Sequence, residues 1–121
     1  MDKVASINHP ADKYIVPTHI KLGYRTLTIE PKLMEDFGEY INNENKILYN
    51  SRATQPELVN TIMHELLHAI FEDRIVSLVS DKNEETIVNG LANGLISTLY
   101  DNPKLLKFFY NNIKEIHERK R

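Results

Sequence analysis

The sequence predicts an α+β fold, with a small mixed or antiparallel sheet in the first half of the chain and three helices in the second. Three observations predict it. Apolar residues alternate between Ile20 and Ile29, the polar run Asn42-Asn43-Glu44-Asn45 separates two further apolar segments, and beyond Thr54 apolar residues recur every three or four positions.

The 121 residues fit one domain, residues 1–121. A chain of this length buries roughly two-thirds of its unfolded surface, enough for one modest core. Hydrophobic residues at 41% and charged residues at 26% give an ordinary globular balance. A formal net charge of -2 offers no phosphate-binding track and no membrane-surface patch, so neither nucleic acid nor membrane is expected as a partner. The basic cluster Arg119-Lys120-Arg121 reads as a solvated helix end. There is no cysteine, which excludes a disulfide framework and a thiolate metal site. Met1 to Pro10 lacks the apolar core of a signal peptide, and no apolar run approaches membrane-spanning length. The chain therefore reads as soluble and cytoplasmic.

Residues Met1 to Thr18, with Pro10 and Pro17, form an irregular entry. The alternation of Ile20, Leu22 and Tyr24, then Leu27 and Ile29, predicts extended structure, with Gly23 marking a bulge or bend. Pro31 ends that segment. Leu33, Met34 and Phe37 then stand at near-helical spacing before Gly38. Tyr40-Ile41 and Lys46-Ile47-Leu48-Tyr49 flank the polar run as a hairpin.

Thr54-Gln55-Pro56-Glu57 fits a capping box and starts a helix running from about Pro56 to Asp73. A second helix begins after Asp81, with Glu84 capping in return, and continues to about Tyr100. Asn102-Pro103 opens a third, because proline is tolerated in a first helical turn. Its apolar residues are Leu105, Leu106, Phe109, Ile113 and Ile116.

The first of these helices carries His64-Glu65-Leu66-Leu67-His68. Histidines four apart project from one side of a helix, one turn above the other, so both imidazoles can reach one ion. Zinc suits such nitrogens. Leu58, Val59, Ile62, Met63, Leu66, Leu67 and Ile70 cover one apolar arc, while His64 and His68 fall among Glu57, Thr61, Glu65 and Glu72. Between two zinc-binding histidines, Glu65 is placed to act as the general base for metal-bound water.

A catalytic zinc takes three protein ligands. Position 74 is Arg74 rather than a third histidine, and His117 sits beside the basic tail, so the third ligand is expected to be a carboxylate. Glu84 and Glu85 are the candidates. Glu84 has a competing capping role, whereas Glu85 shares a helix face with Asn89, Ala92 and Ile96, which favours Glu85. Asn89 could then accept a hydrogen bond from a ligating imidazole.

Two stretches, Thr61 to Ile70 and Glu84 to Leu95 with Asp101-Asn102-Pro103 after it, resemble the ImmA/IrrE-like zinc metallopeptidases, including the small forms carried by phages and mobile elements. That resemblance implies zinc held by His64, His68 and Glu85, with Glu65 catalytic. It also implies a minimal zincin fold, a short sheet packed on the active-site helix. The expected activity is hydrolysis of a peptide or protein substrate by metal-activated water. Lys46 to Asn50 resembles the edge strand that pairs with substrate in such enzymes, and reads equally as an ordinary sheet strand. No single group is singled out to stabilise an oxyanion: Tyr24, Tyr40, Tyr49 and Tyr100 are candidate donors, and each reads more readily as a half-buried core aromatic. The alternative function is a non-catalytic zinc-binding module for protein interaction.

Overall fold

The computed structural model describes residues 10–76 and 84–119, with the side chain of Glu84 outside that set. The predicted helix cap Asp81 also lies outside the described residues. Four strands are described: β1 (His19–Leu22), β2 (Arg25–Lys32), β3 (Gly38–Ile41) and β4 (Lys46–Asn50). Three helices follow them: α1 (Gln55–Arg74), α2 (Glu84–Asp101) and α3 (Pro103–Arg119). Short 3-10 turns cover Pro10–Lys13 and Asn42–Glu44. The strand order is β1-β2-β4-β3, antiparallel except for the parallel β2–β4 pair. This is the predicted α+β architecture, a mixed sheet packed against three helices. No described helix is long and apolar enough to cross a membrane.

The first alternation divides into β1 and β2 around Gly23, whose φ of 62° makes the turn. Tyr24 belongs to that turn and is fully exposed, so the apolar period runs through Ile20, Leu22, Leu27 and Ile29 without it. Pro31 does not end β2. Thr28 N–H donates to Asn45 and Lys32 accepts from Ser51, whereas Ile29 N–H points to Thr18 on the opposite side. By that alternation Pro31 presents its missing N–H on the β1 side, where pairing with β1 has ended at His19↔Thr28. Residues 33–37 are irregular, with bends at 35–37, instead of the helical turn that their spacing suggested, and Leu33 and Phe37 are exposed.

The β3–β4 hairpin forms as predicted. Asn45 takes the left-handed conformation at φ 53° that closes its turn. Helix α1 starts at the predicted capping box: Thr54 accepts from Glu57 N–H, and the Glu57 carboxylate accepts from Thr54 N–H. Leu58, Ile62, Leu66, Ala69 and Ile70 then pack on Ile20, Leu22, Leu27, Ile29 and Ile47 of the sheet. Each such large side chain stabilises the fold by about 1.5–3 kcal/mol when buried.

Helix α2 runs antiparallel to α1. A side chain at Gly90 would meet Ile75, and one at Gly94 would meet Ile70 and Arg74. Helix α3 buries Leu105, Phe108, Phe109 and Asn112, leaving Leu106 and Ile113 exposed. The buried Asn112 bonds to Phe108 C=O and accepts from Gln55 Nε2, which is why a polar residue takes the position expected of Ile113.

The two outer strands end the sheet differently. Beyond β1 lies Asn102, whose Oδ1 accepts Lys21 N–H at 2.8 Å and whose Nδ2 donates to Lys21 C=O at 2.8 Å. One side chain thus imitates a neighbouring strand. Beyond β3 there is no further strand among the described residues.

Candidate functional site: the cleft between strand β3 and helix α1

Strand β3 crosses the sheet edge beside the middle of α1. Asn50 N–H donates to Phe37 C=O, and Phe37 stands opposite Asn50 in the register Gly38↔Tyr49. The alternation of an antiparallel ladder then turns the backbone groups of Glu39 and Ile41 toward β4, and those of Gly38 and Tyr40 outward. Tyr40 N–H meets the carboxylate of Glu65.

Glu65 was expected on the polar, solvated side of α1, but it is 7% exposed. Burial pushes its carboxyl above the usual carboxylate range. His64, His68 and the Tyr40 N–H pull in the other direction, and Glu39 adds to the rise. Thr61, one turn earlier on the same side, is also buried. Its methyl group and Leu48 C=O leave no room for a side chain at position 38, so the approach of β3 to α1 depends on Gly38.

A cavity of about 380 Å³ opens beside this contact, lined by residues 36–38 and by Glu57, Asn60, Thr61, His64 and Glu65 of α1. His64 and His68 are both exposed, with ring centroids 4.8 Å apart and planes at 74°. The two rings thus meet edge to face, one helical turn apart on the same side of α1.

The third ligand does not join it. Among the described residues no three histidine, aspartate or glutamate side chains form a group able to hold a metal ion. The helix register explains why. Gly90 faces Ile75, and Gly94 faces Ile70 and Arg74. In this antiparallel packing, residues before Gly90 lie past the C-terminal end of α1 and away from His64 and His68. Glu85 is also about 140° around α2 from Gly90 at 3.6 residues per turn. Both Glu85 and Asn89 are exposed, Asn89 too far along α2 to orient either imidazole.

No family model matches the chain, nor does any curated protein or solved structure. The resemblance to ImmA/IrrE-like enzymes is thus not upheld, and the architecture is α+β without being specifically a zincin. The zinc centre, the zinc-binding module and the metallopeptidase activity with Glu65 as base are corrected on the same ground, the missing three-donor group.

The expected substrate strand is corrected as well. β4, Lys46–Asn50, is paired on both sides, so the open edge belongs to β3. None of the four tyrosines is among the residues that line the cleft. Tyr40 OH donates to Asn42 and accepts from Arg25, while Tyr49 is buried, with its hydroxyl pKa raised by desolvation and by Asp12. Tyr24 and Tyr100 are exposed.

Residues 36–38 and Thr61 were missed as cleft residues by the sequence reading. A signal was available in Gly38, a residue without a side chain at the first position of a strand, where only the near-helical spacing before it stood out.

Proposed function

We propose that this protein binds an extended polypeptide segment along the outer edge of β3, with α1 as the wall of the binding cleft. The supporting observation is the contrast between the two sheet edges. Asn102 occupies both outward backbone groups of Lys21 on β1. On β3 the Glu65 carboxylate meets the Tyr40 N–H, and no strand lies beyond it among the described residues.

An incoming strand adds main-chain hydrogen bonds to such an edge, which gives affinity with little demand on sequence. Its alternate side chains would enter the cavity beside Phe37, Thr61 and His64. The exposed imidazoles of His64 and His68 offer hydrogen-bond donors and acceptors along the same wall.

The test is an amide NMR titration of the full chain with a panel of unstructured peptides of varied composition. The largest shifts should fall on Gly38 to Ile41, with cross-strand contacts from the peptide to Tyr40. Shifts centred on β1 or α3, or none with any peptide, would refute the reading.

A further inference from the structure

We infer that the groove between residues 14–18 and helix α3 is a second ligand site, one that takes an amphipathic molecule with a single carboxylate head and an apolar chain. The groove encloses about 810 Å³, within the range of small-molecule sites and well above the cleft beside β3. Helix α3 lines it with Lys104, Lys107, Phe108, Asn111, Asn112 and Glu115, residues three or four apart that form one stripe. At 1.5 Å per residue the stripe is about 16 Å long.

The two ends of the groove differ in charge. Lys21 is bonded to Asn102, which brings the neighbouring His19 to the Lys104 end of α3. At the other end Ala11 N–H donates to Ser51 and Gln55 bonds to Glu115, which brings Lys13 and Tyr14 beside Glu115. Lys104, Lys107 and His19 therefore gather at one end without a carboxylate among the groove residues there. At the far end Lys13 lies over the Tyr14 ring at 5.7 Å and faces a region that holds Glu115.

Between the ends the lining is apolar: Ile15, Val16, Pro17 and Phe108. Ile15 is 92% exposed, an apolar side chain that a ligand would cover. A peptide would find few backbone partners here, because Pro17 has no N–H and Thr18 C=O already accepts from Ile29. A ligand with its polarity at one end and an apolar body fits this distribution. The site is separate from the β3 edge, and neither reading depends on the other.

The test is titration calorimetry of the full chain with dodecanoate below its micelle-forming concentration, with circular dichroism to confirm that each protein stays folded. One saturable site is expected. K104E/K107E, at two exposed positions, should weaken it by about tenfold or more, a loss of about 1.4 kcal/mol. Dodecanol, with the same chain and no carboxylate, should bind the intact protein correspondingly more weakly. Ile15→Glu should remove binding, while His64→Ala, in the other cleft, should leave it unchanged. Absence of saturable binding to folded protein would overturn the inference. So would dodecanol binding as tightly as dodecanoate, or undiminished dodecanoate binding to the charge-reversed pair.

Discussion

The carboxylate of Glu65 lies against the outward-facing N–H of Tyr40, which favours its ionised form, so a residue of α1 stands at the edge of a strand far from it in sequence. Open strand edges invite pairing with other chains, and proteins blunt them. Here the β1 edge is capped at Lys21 by an amide that serves both its N–H and its C=O. A carboxylate can only accept, so it serves the N–H of Tyr40 and leaves the C=O for another donor. The β3 edge is thus capped on one side of the peptide unit, which suits an edge that exchanges its cap for a partner strand.

The buried position of Glu65 makes stability depend on pH. Its folded pKa lies above the ordinary carboxylate value, so its favourable contribution is present in full below that value and is lost as pH rises through the folded pKa. Glu65→Gln keeps an acceptor for Tyr40 and cannot ionise. The variant should be more stable than the intact protein at neutral pH, with the gap shrinking as Glu65 becomes protonated. Urea unfolding at about pH 3 and about pH 7 measures this, and an equal difference at both would contradict the assignment.

At Gly38 the limit is steric. An added Cβ would collide with the Thr61 methyl group and stand 2.7 Å from Leu48 C=O. Gly38→Ala should therefore lower stability by about 1–3 kcal/mol, the usual range for overpacking. Thr61→Ser in that background removes the methyl group but leaves the backbone oxygen, so it should restore only part of the loss. Full recovery on thermal unfolding would mean that β3 can shift away from α1.

Asn102 should matter more to β1 than to the helix it precedes. It bonds twice to Lys21 and donates to Thr98 C=O at 2.7 Å. Asn102→Ala removes all three contacts and should cost about 1.5–4.5 kcal/mol, at about 0.5–1.5 kcal/mol for each hydrogen bond. Asn102→Asp retains an acceptor for Lys21 N–H and should fall between the two. Amide hydrogen exchange at Lys21 is the direct measurement: it should accelerate strongly in the alanine variant and less in the aspartate one.

Local signals were the legible ones. The capping box at Thr54, the hairpin around Asn42 to Asn45 and the apolar alternation through Ile20 and Leu27 each depend on neighbouring residues, and each is present. The site depended on relations between distant elements. A helical wheel counts Glu65 and Thr61 as polar and turns them to solvent, because it contains no strand edge for them to face. Likewise Glu85 looked well placed on its own helix. The antiparallel register of α2 against α1, set by Gly90 and Gly94, carries it past the end of α1. Pro31 misled for a related reason, since whether a strand tolerates proline depends on where its neighbour ends.

That register can itself be tested at Gly94. A side chain there would meet the Cγ2 methyl of Ile70, which is fully buried, and stand 2.9 Å from Cδ of Arg74, which is exposed and can move aside. Gly94→Ala gains about 1 kcal/mol of helix propensity. The clash with Ile70 should outweigh it, at about 1–3 kcal/mol. Ile70→Val keeps a methyl group on Cβ in the same place and should not relieve the strain. Ile70→Ala would relieve it only by opening a cavity that costs about 2–5 kcal/mol. The double variants should therefore show coupling for alanine at position 70 and almost none for valine. Equal coupling in a double-mutant cycle would mean that α2 packs on α1 in another register.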